Sequence, residues 1–383
     1  MAKTESPPRA KIAESELRNW KLLEAFQRRL QPVLDQAEPT ATEQDPRRRL
    51  FQSEYFSMLL FGLYNPVLKS TRALCSASGL KRMSEEVSGG SVSLGSFSEM
   101  QHLADPELLA GLLRSMATEA QPVFGKECVR AHIQELIAVD GTLLPALPRM
   151  AWALWQDPKH RAAKLHLELA VWREVPVEFT ITEGKGSERH AWKQKLRKGV
   201  CYVTDRHYAH DYALIRAVQA AGATHVMRLY NNAVFTRVGP ARLLSPADQA
   251  AGVVEDVAVR LGEGSDGPEG RLVRVEADGH VFLLFTNLAD MPAELVALTY
   301  RYRWQIELFF KWLKCVLGCR HWFAESQAGV TIQVYCALIA SVLLVLWTGC
   351  KPTKRQWEML QLHWLGVADL DELERAFPKR KKP

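Results

Sequence analysis

Five polar side chains between residues 294 and 317 have types and spacings that could do chemistry. They are Tyr300, Arg303, Glu307, Lys311 and Lys314. The stretch contains no Gly or Pro and consists mostly of strong helix formers, which predicts one continuous helix. At about 100° per residue the five side chains fall within about 80° and share one stripe. A carboxylate can bind a divalent metal, and Arg and Lys beside it can hold phosphate oxygens, so the stripe indicates metal-assisted phosphodiester chemistry.

The rest of this predicted helix is apolar, which predicts burial everywhere except along the stripe. The apolar positions are Leu298, Ile306, Leu308, Phe309, Phe310, Trp312 and Leu313. The alternative is an amphipathic surface helix whose Glu and Lys side chains form ion pairs one or two turns apart. The stripe is narrower than an ordinary solvated helix face, and this favours a functional site.

The spacing Tyr300-(2)-Arg303-(3)-Glu307-(6)-Lys314 resembles a known signature. It is similar to the Y-(2)-R-(3)-E-(6)-K pattern of the DDE transposases of the bacterial insertion-sequence-four group. The resemblance implies that Glu307 is the third metal-binding carboxylate of a ribonuclease-H-like catalytic core. It also implies that Arg303 and Lys314 clamp phosphates of a transposon end and that the Tyr300 hydroxyl contacts a phosphate.

Two aspartates could supply the other carboxylates, because each closes an apolar run that predicts a buried strand. Asp140 follows residues 136–139 and precedes Gly141, and Asp205 follows residues 199–204. An open sheet presents ligands at the carboxyl ends of its strands. With Glu307, these aspartates are predicted to hold two Mg²⁺ ions, for which Mn²⁺ can substitute, because hard oxygen ligands favour both over Zn²⁺.

Other acids and one departure from the group pattern bear on this assignment. The competing acids, none of which closes a predicted strand in the same way, are Asp157, Glu168, Glu178 and Asp211. After Asp205 the group often has Arg-Gly, whereas this chain has Arg206 and His207. That departure alters a detail of the motif and leaves the assignment of Asp205 in place.

The order of predicted elements indicates an α/β fold. Three strands are followed by a helix, a strand, a helix and a strand, at residues 136–140, 163–171, 175–182, 186–198, 199–204, 212–221 and 224–229. This is the order expected of a ribonuclease-H-like core. A hairpin is predicted around Asp278 and Gly279, within a β-rich stretch at residues 231–290. The transposase group is known for such an insertion between its second and third carboxylates.

The predicted organisation therefore has five parts. They are an N-terminal helical, DNA-binding region (1–125), the first part of the ribonuclease-H-like core (126–230), the β-rich insertion (231–290), the second part of the core with the Glu307 helix (291–350) and a C-terminal helical tail (351–383). A plain helical bundle explains the N-terminal pattern equally well, because no helix-turn-helix signature is sharp enough to name a recognition helix.

Bulk properties restrict the class of protein. A formal charge of +6 and a pI near 8.9 fit a polyanion partner. Seven scattered Cys residues without a C-x-x-C pair support neither a disulfide framework nor a structural zinc site. Residues 1–21 lack a signal-peptide pattern, and the apolar run at residues 334–350 is at the short limit for a bilayer span. We therefore predict that the apolar run is a buried core helix. We also predict that the protein is bacterial, cytoplasmic and nucleoid-associated, without a membrane partner.

Several residues have two open interpretations. Trp304 could stack on a flipped base at the processed DNA end or pack in the core, with Phe282 and Phe285 as weaker candidates for holding that base. The basic segment at residues 186–198, predicted to be helical, and the run at residues 47–49 could face DNA or only solvent.

The resemblance implies a cut-and-paste DNA transposase. Hydrolysis would nick one strand at an insertion-sequence end, the free 3′ hydroxyl would form a hairpin, and the reopened ends would join target DNA. The implied partners are double-stranded DNA, namely terminal inverted repeats and target DNA, and a second copy of the chain in a homodimer that bridges two ends. The alternatives are an inactive or domesticated transposase that only binds DNA, and a ribonuclease-H-like nuclease.

Overall fold

A computed structural model describes most of the chain, in seven segments. They are residues 21–38, 48–157, 160–187, 192–193, 195–316, 322–365 and 367–377. The chain divides into two compact units, the first drawn from 1–121, 144–163 and 311–383 and the second from 122–143 and 164–310. Asp140, Asp205 and Glu307 all lie in the second unit. The five-part division stays a prediction.

Helices and strands both occur in quantity in the described residues. The helices are α1 Lys21–Gln36, α2 Gln52–Tyr64, α3 Thr71–Ser78, α4 Lys81–Met83, α5 Leu94–Leu103, α6 Glu107–Glu119, α7 Glu127–Arg130, α8 Arg206–Ala209, α9 Tyr212–Ala220, α10 Pro246–Ala250, α11 Ala293–Tyr302, α12 Trp304–Val316, α13 Gln327–Thr348, α14 Lys354–Trp364 and α15 Leu370–Ala376, with a π-helical turn at Ser84–Ser88. The strands are β1 Glu135–Pro145, β2 Leu154–Asp157, β3 His160–Ala170, β4 Val175–Glu183, β5 Val200–Thr204, β6 Thr224–Leu229, β7 Phe235–Ala241, β8 Val253–Leu261, β9 Glu269–Ala277 and β10 His280–Thr286.

The first unit is built around the apolar helix α13. Nearly every side chain from Val330 to Val345 is buried, and α1, α2, α5 and α6 pack against this helix. The Tyr64 hydroxyl on α2 donates a hydrogen bond to the Ala340 carbonyl (3.0 Å). Within the described residues, α13 is long and apolar enough to cross a membrane, but most of it is buried inside the protein, as in the core helix of a globular unit.

The strands form one ten-stranded sheet, which confirms the predicted α/β class. The order is β2-β3-β1-β5-β6-β10-β9-β8-β7, with β4 paired to β3. β1, β5 and β6 are parallel, and every residue of β5 is buried. Burial on both faces explains why β5 has a continuous apolar sequence instead of an alternating one.

The strands after residue 231 extend this same sheet. β10 pairs antiparallel with β6, where Leu284 lies opposite Arg228. The predicted hairpin is present as β9 and β10, and its two turn residues, Asp278 and Gly279, have φ values of 51° and 73°. Positive φ at both positions is what a tight type I′ turn requires, and an Asp-Gly pair tolerates it well.

Two polar networks fix the start of helix α11. Arg271 on β9 forms a buried bidentate ion pair with Asp256 on β8 and also donates to the carbonyls of Leu288 (3.1 Å) and Met291 (2.5 Å). The Asp248 carboxylate accepts a hydrogen bond from the Glu294 amide (2.8 Å) in the first turn of α11. Because α11 also packs against β5, β6, β8, β9 and β10, its direction across the sheet is set by the strands that precede it.

Candidate active site

Asp140 and Asp205 follow a pair of neighbouring residues on two adjacent strands of the central sheet. β1 and β5 run parallel, and the last paired residues are Val139 and Thr204. Each of these is followed directly by one of the two aspartates. Adjacent strands are about 4.8 Å apart, so the backbones of Asp140 and Asp205 are separated by roughly one strand spacing. β1 continues to Pro145, beyond the predicted strand, but its pairing with β5 ends immediately before Asp140.

The prediction of one continuous helix at residues 294–317 is wrong, because α11 ends at Tyr302 and α12 begins at Trp304. Arg303 keeps helical dihedral angles (φ −52°, ψ −33°). Its amide donates to the Tyr300 carbonyl (3.0 Å), and its carbonyl accepts from the Ile306 amide (3.1 Å). Both bonds span three residues instead of four, so the helix tightens at Arg303 into a 3₁₀-type turn. Leu317 lies outside the described residues.

The guanidinium of Arg303 connects two of the three predicted acids. Nη1 is 3.4 Å from Asp140 Oδ2, and Nη2 donates to Glu307 Oε1 at 2.5 Å. The Arg303 side chain is only 14% exposed, so these charges interact in a partly desolvated setting. Asp140, Glu307 and Arg303 therefore form one cluster, and the strand register places Asp205 next to Asp140.

A second arginine reaches the same cluster through Tyr300. Burial raises the pKa of the Tyr300 phenol, while charge and hydrogen bonds from Arg303 and Arg228 oppose that rise. The Arg228 guanidinium carbon lies 4.6 Å from the centre of the Phe282 ring, which in turn lies 6.3 Å from the Tyr300 ring. Arg228 is not among the predicted site residues. The one available signal was a lone Arg inside an apolar strand.

The two lysines of the stripe and three nearby or candidate apolar residues differ in their surroundings. Trp304 is 55% exposed, which argues against packing in the core, and Leu308 is also exposed although burial was predicted. Phe285 is fully buried against His225, so it is not accessible to a base. Lys311 and Lys314 lie in the part of α12 that belongs to the first unit, where Lys311 is exposed and Lys314 is half-buried.

The predicted acids offer only oxygen donors, which fits Mg²⁺ or Mn²⁺ in ligand chemistry. Among the described residues, no group of three His, Cys, Asp or Glu side chains is arranged to hold a metal ion. Arg303 contacts both Asp140 and Glu307 through oxygens that a cation would also use. The donor set therefore fits a divalent cation, provided that Arg303 moves away from these oxygens.

Three of the four competing acids have structural partners. Glu168 is buried beside Arg197, and Glu178 pairs with Lys195 (2.8 Å). Asp211 caps α9 by accepting from the Leu214 amide (3.1 Å). Asp157 ends β2, a strand that the sequence did not predict.

The same ion pairs bear on the basic segment at residues 186–198. Because Lys195 and Arg197 are paired with carboxylates of the second unit, their charges are not directed at solvent alone. Residues 188–191 and 194 of this segment lie outside the described residues, as does Arg47 of the N-terminal basic run.

Comparison with protein families gives one match that covers the cluster. A model described as the transposase DDE domain matches residues 132–343, more than half of the chain, and includes Asp140, Asp205 and Glu307. The chain belongs to this family. Membership confirms the resemblance drawn from the Tyr300 to Lys314 spacing. Because DDE transposase domains generally depend on a divalent metal, membership also implies such a dependence here.

Three curated relatives are described as transposases. One from Sinorhizobium fredii is 29% identical over 211 residues, covering 54% of this chain and 59% of its own length. One for insertion sequence element IS4SA of Synechocystis is 23% identical over 269 residues, covering 67% and 72%. One for element IS5377 of Geobacillus stearothermophilus is 27% identical over 199 residues, covering 51% and 52%. The chain thus spans little more than half the length of two of these three.

One solved structure is also similar, namely the piggyBac transposase in a synaptic complex with hairpin DNA. The sequence identity is 11% and the TM-score is 0.41, with 96% of this chain and 80% of that chain covered. A structural similarity of this degree does not identify site residues in this chain.

Proposed function

We propose that the protein is a cut-and-paste DNA transposase that hydrolyses phosphodiester bonds at insertion-sequence ends and transfers the strands to target DNA. The observation that supports the proposal is the position of three acids from distant parts of the chain. Asp140 and Asp205 follow paired strand residues, and Arg303 connects Asp140 to Glu307. Membership of the DDE-domain family supports the same reaction class.

The catalytic core is ribonuclease-H-like in this proposal. Its strands are β4, β3, β1, β5 and β6, which neighbour one another in that order. The β-rich insertion then comprises β7 to β10, which continue the sheet beyond β6 and hold the start of α11. Because α11 leads directly into Arg303 and Glu307, the insertion would help to set where the third acid lies.

Asp140, Asp205 and Glu307 would hold two Mg²⁺ ions, which when bound activate the attacking hydroxyl and stabilise the leaving oxygen. Asp140 lies within β1, and Asp205 caps α8 directly after β5, so both would act as rigidly held ligands. Glu307 lies one turn beyond the tightened helix at Arg303. A small movement of that turn would bring its carboxylate toward the aspartates and release Arg303 for DNA.

The cations around the acids would bind the DNA backbone. Arg303 presents a planar fork that matches two phosphate oxygens, and Arg228, which lies over the Phe282 ring near Tyr300, would contact a further phosphate. In the first unit, Lys311 and Lys314 would bind DNA phosphates as well. Trp304, largely exposed one residue after Arg303, would stack on an unpaired base at the end being processed.

The reaction proceeds through a hairpin on the element end, with the freed 3′ hydroxyl as the attacking group. Both ends must be cut and joined together, so a homodimer bridges two terminal inverted repeats. The protein acts in the bacterial cytoplasm, in association with the nucleoid. The N-terminal helices 1–125 supply further contacts to DNA.

The test uses the purified full chain and the DNA that flanks its own gene. Cleavage at the element boundaries, followed by joining to a target plasmid, is expected with Mg²⁺ and not with Ca²⁺. Asp205→Asn should abolish both steps, whereas Asp211→Asn, which keeps the cap of α9, should leave them unchanged. Binding without cleavage would overturn the proposal in favour of a domesticated DNA-binding protein. Cleavage without joining would favour a ribonuclease-H-like nuclease.

A further inference from the structure

A second cluster of cationic and aromatic side chains follows Asp205 directly. The Arg206 guanidinium carbon lies 5.2 Å from the centre of the Tyr230 ring. The His210 ring lies 6.1 Å from the same ring, at an interplanar angle of 81°. Arg206 and His210 come from the short helix after β5 and its end, and Tyr230 follows β6. We call Arg206, His210 and Tyr230 the Tyr230 cluster.

The Tyr230 cluster is open to solvent. Tyr230 is 37% exposed, and Arg206 and His210 are also exposed. Within the described part of the chain, neither Arg206 nor His210 forms an ion pair with a carboxylate. A tyrosine kept for packing would be buried, and a surface arginine beside acids would be neutralised. Here the exposed Arg206 lies over one face of the partly exposed Tyr230 ring.

The strand register places this cluster next to the proposed reaction centre. β5 and β6 are parallel, and Thr204 is paired with Met227. Arg206 lies two residues beyond Thr204, and Tyr230 lies three residues beyond Met227. Both therefore extend from the same edge of the sheet, and Arg206 is joined to Asp205 by one peptide bond.

We propose that the Tyr230 cluster binds an unpaired nucleotide of the DNA strand at the active site, with the base stacked on Tyr230 and its phosphate on Arg206. An accessible aromatic ring beside a cation is the chemistry that holds single-stranded nucleic acid. A base within a duplex is already stacked, so the ring favours unpaired DNA. This inference rests on the proposed function, because it takes DNA as the ligand.

The test measures binding to DNA in Ca²⁺, where no cleavage is expected. Fluorescence anisotropy compares a blunt duplex with the same duplex carrying a short unpaired 3′ extension that contains 2-aminopurine. The wild type should bind the extended DNA more tightly and quench 2-aminopurine. Tyr230→Ala should weaken binding of the extended DNA by roughly tenfold or more and clearly reduce the quenching, leaving only what Trp304 contributes, with little effect on the blunt duplex. Tyr230→Phe should behave as the wild type.

Two further variants make the comparison specific. Arg206→Ala should weaken binding and reduce the slope of log affinity against log salt concentration by about one. Leu243→Ala removes another exposed apolar side chain, and Arg237→Ala removes another exposed arginine. Both controls should bind the extended DNA as the wild type does. Thermal melting confirms that each variant is folded.

Three results would overturn the inference. They are unchanged quenching in Tyr230→Ala, equal weakening for blunt and extended DNA, and a Tyr230→Phe variant that behaves like Tyr230→Ala. Cleavage of element ends by the wild type in Mg²⁺ is measured in parallel. A wild type that does not cleave refutes the proposed transposase. A wild type that cleaves, with normal quenching in Tyr230→Ala, refutes only the nucleotide site.

Discussion

Val139 and Thr204 are paired across adjacent parallel strands, and each is followed directly by an aspartate. The backbone ladder between β1 and β5 therefore ends directly before Asp140 and Asp205. Removing the charge of either carboxylate should leave the strands in place. Substitutions at these two positions can thus separate chemistry from folding.

Asp205→Asn should eliminate cleavage of element ends and weaken divalent-metal binding without changing the thermal midpoint. Asp205 accepts the His207 amide (2.9 Å) as the cap of α8, and Asn can keep that hydrogen bond. Electron paramagnetic resonance of free Mn²⁺ measures metal binding, and a gel assay measures cleavage. Asp211→Asn is the matched control. A variant that binds Mn²⁺ normally would remove Asp205 from the ligand set.

Arg303→Lys should have opposite effects on metal binding and on catalysis. Arg303 contacts carboxylate oxygens of both Asp140 and Glu307, whereas a lysine presents one compact charge. Without DNA, Mn²⁺ should bind the variant about fivefold more tightly, equivalent to roughly 1 kcal/mol. Cleavage should fall because the planar contact to phosphate is lost. Weaker Mn²⁺ binding in the variant would contradict competition between Arg303 and the metal.

Much of the central sheet was predictable from sequence, because apolar runs and a turn signal mark it locally. The strand at 224–229 was predicted with the bounds that the structure has. The Asp278-Gly279 pair identified the hairpin of β9 and β10. Asp140 and Asp205 could be selected because each follows such a run. Predicting their relative position would have required the register of β1 with β5, which depends on pairing between segments that are distant in sequence.

Other features of the site have no local signal. At the break between α11 and α12, Arg303 keeps helical dihedral angles, and neither Gly nor Pro is present. Helix propensity therefore predicts one continuous helix through this residue. Arg228 reaches Tyr300 only because β6 lies beside β10 and beneath α11. The exposure of Trp304 and Leu308 likewise follows from what packs around α12, which a helical pattern alone does not contain.

Arg228→Ala should weaken binding of element-end DNA and reduce its salt dependence by about one unit of slope. The buried Nε of Arg228 has no hydrogen-bond partner among the described residues, and its guanidinium lies over Phe282. Anisotropy over a series of salt concentrations measures both effects. Arg216→Ala removes an exposed arginine whose guanidinium donates to the Asp266 carbonyl, and it serves as the control. Equal slopes for Arg228→Ala and the wild type would contradict phosphate contact.

Arg271→Ala should destabilise the second unit by about 3–5 kcal/mol, because it leaves Asp256 buried without its partner. Urea unfolding monitored by circular dichroism measures the change. Arg274→Ala removes a more exposed ion pair with Glu276, so its cost should be about 0–1 kcal/mol. Adding Asp256→Asn to Arg271→Ala should recover part of the loss. No recovery would show that the contacts of Arg271 with Leu288 and Met291 dominate.

Glu168 should make the stability of the protein depend on pH between about 4.5 and about 7. Burial raises the pKa of Glu168 from its ordinary value of 4.5 to about 7, with Arg197 and Lys195 opposing the rise and Glu178 adding to it. In this window the folded protein keeps a proton that the unfolded chain has lost, so stability falls as pH rises.

The measurement compares the wild type with Glu168→Gln, which cannot ionise. The free energy of unfolding of the wild type, minus that of Glu168→Gln, should decrease as pH increases from about 4.5 to about 7 and stay constant above it. Urea unfolding at fixed ionic strength gives both values. A difference that increases with pH would mean that the Arg197 ion pair outweighs burial, because the folded state would then favour the carboxylate.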